Sequence, residues 1–373
     1  MQNFLLDAED LDALIQAIRA PGRQLKGPIL RDGAIVYDDV HSANDLPRGW
    51  TDVQEKGTYR VVKRDDDAFF GYAVGPHSWK KFLQLPRRLV WKGQKNTNGV
   101  QICEVQEPVP DLAFIGVRSC ELHAIAVQDR VFIDDRYRND SYASRRANLL
   151  IVAVNCTTAA PTCFCVSMHT GPQVTLPCDL ALTEVIEGTQ HYFLIRSGSE
   201  QGARILQQLP VKPATDRHME QGENAIFQAQ EQMARGVRHF QSEDLKELLY
   251  RNYDSPLWES VADRCLSCAN CTMACPTCFC STVEDTTDLT GEHAERWERW
   301  DSCFTGDFSY ITGGSVRADT RSRYRQWMTH KLATWQDQFG SSGCVGCGRC
   351  IAWCPVGIDI TEEVTRFREM EKQ

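Results

Sequence analysis

Two copies of one cysteine spacing constrain this chain more than anything else in it. The first runs Cys265-x2-Cys268-x2-Cys271-x3-Cys275-Pro276, the second Cys344-x2-Cys347-x2-Cys350-x3-Cys354-Pro355. Three thiolates at every third position grip one face of an iron–sulfur cubane, and the fourth, followed by proline, reaches across to the other cubane. The spacing therefore predicts two [4Fe-4S] clusters. One is expected on Cys265, Cys268, Cys271 and Cys354, the other on Cys344, Cys347, Cys350 and Cys275. Structural zinc draws instead on two separated C-x2-C pairs.

The bulk composition narrows the class. The chain has 373 residues, enough for two or three domains with a real core, and 24% charged against 42% hydrophobic residues describes a soluble globular protein. A net charge of −9 argues against nucleic acid, which calls for a basic footprint. The N-terminal stretch Asn3-Phe4-Leu5-Leu6-Asp7 has neither a basic region nor a sustained apolar run, so no secretory signal is expected. No segment approaches the roughly 20 apolar residues of a membrane span. Seventeen cysteines, an odd count without a signal, point to a reducing cytoplasm rather than a disulfide scaffold.

Along the chain, Leu11, Leu14, Ile15 and Ile18 share one helical face that Pro21-Gly22 ends. A basic stretch at Lys80, Lys81, Arg87, Arg88 and Lys92 reads as a solvated face. The continuous apolar runs Leu112–Val117 and Leu149–Val154 read as strands buried on both faces, with a helix from about Glu121 to Val131 between them and a third strand at His191–Ile195. Residues 1–240 are thus expected to form an α/β domain with a mainly parallel sheet. From Glu243 the texture is helical, and Tyr324, Trp327, Met328, Leu332 and Trp335 line one face of a helix over 319–337. Residues 241–373 are expected to form the cluster-bearing domain.

The other cysteines form a second pattern. Cys120 and Cys156 each follow an expected strand, where a helix N-terminus would lower a thiol pKa. The pentapeptide Pro161-Thr162-Cys163-Phe164-Cys165 returns as Pro276-Thr277-Cys278-Phe279-Cys280. Cys120, Cys156, Cys163 and Cys165 are therefore a candidate third iron–sulfur or metal site, with Cys278, Cys280 and Cys303 as alternative or additional ligands. The plainer expectation is small buried thiols. His123 is expected to be an ordinary surface or core histidine, and Cys103 and Cys178 structural. No G-x-G-x-x-G follows a strand and no G-x4-G-K-[ST] occurs, so no FAD, nicotinamide or ATP site of its own is expected. Nor is there a C-x-x-C pair with the features of a nickel–iron centre. No catalytic residue is assigned; the expectation is an electron relay.

The segments Gly116-Val117-Arg118-Ser119-Cys120, Asn155-Cys156 with Cys163-Phe164-Cys165, the Cys265 motif running into Cys278-Phe279-Cys280, Trp300-Asp301-Ser302-Cys303 and Cys344-Val345-Gly346-Cys347-Gly348-Arg349-Cys350 together carry a family likeness. The chain resembles the β subunit of cytoplasmic NAD(P)-linked [NiFe] sulfhydrogenases and is similar in pattern to the electron-transfer subunit of anaerobic sulfite reductase. The resemblance implies an α-helical ferredoxin-like domain with two [4Fe-4S] clusters. It also implies a hetero-oligomer in which this chain relays electrons between the small and large [NiFe] hydrogenase subunits and a flavin/NAD(P)H subunit. A sirohaem sulfite reductase partner, or sulfur or polysulfide reduction at the N-terminal cysteines, are the alternatives.

Overall fold

A computed structural model describes residues 3–97, 99–105 and 107–372. Its centre is an eight-stranded sheet in the order Lys212–Pro213, Phe4–Asp7, Gln190–Ser197, Leu180–Glu187, Leu150–Val154, Leu112–Val117, Gln24–Arg31, Ala34–Asp39. The continuous apolar runs become its middle strands because both sheet faces are covered. Ala113 and Ile115, with Leu150, Val152 and Val154, point into one core together with Leu11, Leu14, Ile15 and Ile18 of the helix Leu11–Arg19. Phe114 and Val117, with Ile151 and Ala153, point the other way, onto Leu122 and Ile125 of the helix Ser119–Asp129. The sides alternate with the period of a strand covered on both faces, until a bulge at Gly116, φ 88°, turns Val117 to the Phe114 side.

The sheet is mixed rather than mainly parallel. Four central strands, from Gln24–Arg31 to Leu180–Glu187, run parallel. The strand expected around His191–Ile195 instead folds back antiparallel on Leu180–Glu187, with Glu187 paired to Gln190. Gly188, at φ 59°, and Thr189 make the whole connection. Two residues close a hairpin; a parallel crossover needs a dozen or more. Phe4–Asp7, Lys212–Pro213 and Ala34–Asp39 also join antiparallel.

The C-terminal region packs Leu248, Leu249, Trp258, Trp327, Met328, Val364 and Phe367 into a second core, which Phe164 and Met168 of the first half join. The expected aromatic helix is present as Thr320–Thr329, continuing through a π turn at His330–Thr334 into Trp335–Phe339. Between the two cysteine motifs, however, lies a β-hairpin, Ser281–Thr287 with His293–Trp300. Its second strand pairs with Arg87–Asn96, which pairs with Gly99–Glu104, so one four-stranded antiparallel sheet is built from both halves of the chain. The basic residues Arg87, Arg88 and Lys92 sit on that seam. Arg88 pairs with Glu298 at 2.7 Å and Arg87 stacks on the Trp297 ring at 4.0 Å.

Phe193 is fully buried where the antiparallel strands meet the main core. Phe193→Ala is expected to cost about 3–5 kcal/mol through the cavity it leaves. The check is a lowered thermal midpoint by far-ultraviolet circular dichroism; an unchanged midpoint would contradict the core position.

Candidate iron–sulfur sites

The two ferredoxin-type loops share one backbone. In the first, Ser267 and Ala269 take the left-handed conformation at φ 49° and 67°; in the second, Gly346 and Gly348 do so at 65° and 76°. Each loop then enters a short helix, Asn270–Met273 or Arg349–Ala352. In each, the amide two residues after the first cysteine donates to its sulfur: Ser267 N to Cys265 Sγ at 3.4 Å, Gly346 N to Cys344 Sγ at 3.5 Å. A third such bond runs from Ile358 N to Cys354 Sγ at 3.3 Å. Amides aimed at thiolate sulfur stabilise negative charge there, one of the levers that set a cluster's potential.

Why glycine fills these positions in only one loop follows from packing. A Cβ on Gly346 would lie 2.7 Å from Cys165 Cα, and one on Gly348 only 2.4 Å from the Thr162 carbonyl oxygen. The second loop is pressed against the first Pro-Thr-Cys-Phe-Cys segment, with Phe164 N donating to Gly346 O at 2.9 Å. Ser267 and Ala269 accept the left-handed backbone at a cost of about 1–2 kcal/mol each.

Cys265, Cys268, Cys271 and Cys354 line one cavity, with Cys350 also on its wall. Phe304, Tyr324, Trp327, Ile358 and Ile360 close it with apolar surface. Cys275, Cys344, Cys347 and Cys350 are gathered closely enough to act on one another electrostatically. Burial, then repulsion from neighbouring cysteines, pushes the Cys271 and Cys350 thiols well above the usual range, and burial raises Cys344 to about 12 against the pull of Lys331. Thiols so placed ionise only against positive charge, which an iron core supplies. Among the described residues no group of three or more His, Cys, Asp or Glu side chains is gathered to hold a single metal ion. Two sets of four soft thiols, buried or half-buried except for the exposed Cys268, fit iron–sulfur clusters by their donor chemistry.

Three buried cations surround these sulfurs. Lys331 Nζ donates to Cys275 Sγ at 3.1 Å and Thr277 Oγ1 at 3.2 Å. Burial alone would lower its pKa, but Cys275, Cys278 and Cys344 hold it well above the usual value. Lys80, also buried, donates to Cys278 O at 2.9 Å and lies 3.9 Å from the Trp300 ring centre. Arg349, within the second motif and fully buried, donates to Gly75 O and His77 O through Nε at 3.0 and 3.1 Å and pairs with Glu121. Its guanidinium also faces Cys347, whose thiol it stabilises by charge and by a side-chain hydrogen bond.

The N-terminal cysteines meet the second loop rather than standing apart. Cys120 and Cys156 follow adjacent parallel strands, and Cys120, Cys165 and Cys347 share one packed group with Cys163 at its edge. Their thiols are not the low-pKa groups expected from helix N-termini. Burial raises all four: Cys120 and Cys165 well above the usual range, Cys156 above it, Cys163 to about 12. Desolvation outweighs the helix dipole because Cys120 is only 7% exposed. Ser119 Oγ, next to Cys120 in the chain, and His123 Nε2 are buried without hydrogen-bond partners, while the Arg118 side chain reaches Cys156. His123 is otherwise a half-buried histidine whose pKa burial lowers. Cys103 is exposed on the strand Gly99–Glu104, and Cys178 is half-buried, its thiol raised to about 11 by burial.

Sequence reasoning passed over Lys80, which looked like part of a solvated face, and over Lys331, Arg349 and Glu121. Lys331 left a signal: it falls four residues after Trp327 and four before Trp335, on the buried aromatic stripe itself. Nothing in the local pattern marks Lys80.

Comparison with known proteins agrees with this geometry. The 4Fe-4S dicluster domain family matches residues 264–358. The chain is similar to Sulfhydrogenase 2 subunit beta of Pyrococcus furiosus, 30% identical over 331 residues that cover 87% of this chain and 93% of that protein. No solved structure matches it.

The packing predicts an asymmetry between the loops. Gly348→Ala should displace the second loop from Thr162 and lose about four irons per chain. Ala269→Gly, which only relieves strain, should keep its iron. Iron quantitation on anaerobically purified protein decides; full iron in Gly348→Ala would show that the contact does not constrain the loop.

Proposed function

The chain belongs to the sulfhydrogenase β-subunit family, and on that footing we propose that it relays electrons between a [NiFe] hydrogenase module and a flavin/NAD(P)H subunit in a cytoplasmic complex. The observation that carries this reading is the set of thiols from two distant motifs gathered about one apolar cavity. Cys265, Cys268, Cys271 and Cys354 hold one [4Fe-4S] cluster, and Cys344, Cys347, Cys350 and Cys275 the other. Each cluster, once bound, takes up and gives back one electron at a time. The chain's own residues hold the sulfurs, exclude water with Phe304, Tyr324 and Trp327, and offset negative charge through Lys331 and Arg349.

Residues 1–240 form the α/β domain in this reading and residues 241–373 the cluster domain, with the four-stranded sheet as their seam. Cys120, Cys156, Cys163 and Cys165 are proposed as a third cluster site, supported by the packed group that Cys120, Cys163 and Cys165 share and by the Arg118 side chain at Cys156. Among the described residues, no helix is long and apolar enough to cross a membrane. Sulfur reduction by an activated Cys120 draws no support from its surroundings, since burial raises that thiol well above the usual range rather than lowering it.

Cys268→Ala or Cys347→Ala should each remove one cluster. Transfer between the flavin and hydrogen-activating subunits should slow, while an artificial-dye assay at the terminal site stays largely intact. Equal loss in both assays would point to collapse of the complex instead. Anaerobic affinity purification from native cells should bring down a nickel–iron pair with a flavin subunit; a sirohaem protein in their place would overturn the hydrogenase assignment.

A further inference from the structure

The second Pro-Thr-Cys-Phe-Cys segment builds a cavity of its own. The hairpin Ser281–Thr287/His293–Trp300 closes at Ser281 opposite Trp300, and Asp301 N continues the register by donating to Cys280 O at 2.8 Å. That register sets Cys280 beside Cys303, two residues beyond Asp301, and each thiol acts electrostatically on the other, as do those of Cys275 and Cys278. Cys278, Cys280 and Cys303 open together into a cavity of about 420 Å³ that His330, Lys331 and Trp327 also line.

The loop is held from outside by its carbonyls. Lys80 and Gln128 reach Cys278 O at 2.9 and 3.4 Å, Gln128 reaches Pro276 O at 3.1 Å, and Gln84 reaches Phe279 O at 3.4 Å. Phe279, between the two cysteines, packs edge-on against Phe132 and Trp335, with ring centres 6.2 and 6.1 Å away. Among the described residues, Cys278 and Cys280 belong to no hydrophobic cluster. They line the cavity instead.

The constellation occurs twice. In the first copy Cys163 and Cys165 flank Phe164, and Cys165 acts on Cys120 of Ser119-Cys120. In the second, Cys278 and Cys280 flank Phe279, and Cys280 meets Cys303 of Ser302-Cys303. Two buried ammonium groups, Lys80 and Lys331, stand over the second copy, with no carboxylate of the described residues among their hydrogen-bond or ion-pair partners. Buried cations demand nearby negative charge. A cubane on thiolates provides it, carrying a net charge of about −2 with four thiolates and about −1 with three.

We propose that Cys278, Cys280 and Cys303 hold an additional iron–sulfur cluster, with the imidazole of His330 at its fourth corner and Lys80 and Lys331 as counter-charges. Imidazole replaces thiolate on iron in known cluster types. The site adjoins the second ferredoxin-type cluster through Cys275 and Cys278, so it extends the same relay. It rests on the chain being an iron–sulfur protein, but not on which partner it serves.

The test is iron quantitation and electron paramagnetic resonance of the dithionite-reduced full chain, purified anaerobically. Cys303→Ala and Cys280→Ala should each lose about four irons relative to the parent, together with one component of the reduced spectrum, at unchanged circular dichroism. Iron and spectrum identical to the parent would overturn the site. If the cysteine variants misfold, His330→Cys decides: a shifted signal at unchanged iron supports the fourth ligand, and an unaltered spectrum overturns it. Loss of iron in Cys268→Ala and Cys347→Ala but not in Cys303→Ala rejects this site and leaves the two-cluster relay standing. Unchanged iron in all three rejects the iron–sulfur reading as well.

Discussion

The buried ion pair between Arg349 and Glu121 ties the two halves of this molecule together. Arg349 sits between Cys347 and Cys350, and Glu121 lies in the first turn of the helix that follows the central strand Leu112–Val117. Both are about 1% exposed or less. Glu121 also accepts from Tyr37 at 2.9 Å, Trp79 Nε1 at 3.0 Å and Arg118 N at 3.2 Å, so its charge is fully solvated by protein. Breaking such a pair by removing one partner costs about 3–5 kcal/mol, because the other charge is left buried alone. The pair therefore fixes where the second cysteine loop sits relative to the sheet.

Much else follows from that docking. With Arg349 anchored on the carbonyls of Gly75 and His77, Gly346 and Gly348 meet the backbone of Cys165 and Thr162 at a distance no Cβ tolerates. The same approach brings Cys120 and Cys165 into one packed group with Cys347. Cysteines from the α/β portion and from the dicluster portion thus occupy one continuous buried region. The four-stranded sheet does the same on another side, since the strand Arg87–Asn96 pairs with His293–Trp300 and places Lys80 over the base of the hairpin.

A large share of this was legible in the sequence. The cysteine spacing identified the two loops, because cluster geometry tolerates few spacings. The apolar runs at 112–117 and 149–154 identified the central strands, because only a strand covered on both faces can be apolar throughout. The return of the Pro-Thr-Cys-Phe-Cys segment marked two places of shared local chemistry. The direction of the strand His191–Ile195 was hidden, since strand composition is indifferent to direction and only the two-residue turn at Gly188-Thr189 settles it. The hairpin 281–300 was hidden too: its exposed, charged residues such as Glu284, Arg296 and Arg299 show little apolar alternation.

By itself, then, the sequence determined the 4Fe-4S dicluster character, the buried strands and the aromatic helix, all of which depend on short-range spacing. The tertiary structure decided which thiols stand together, that Lys80 and Lys331 are buried against sulfur, and that Cys120 and Cys156 are desolvated rather than activated. Those outcomes depend on how much water remains around a charge. Water access is set by whatever segment, however distant in the chain, packs over it.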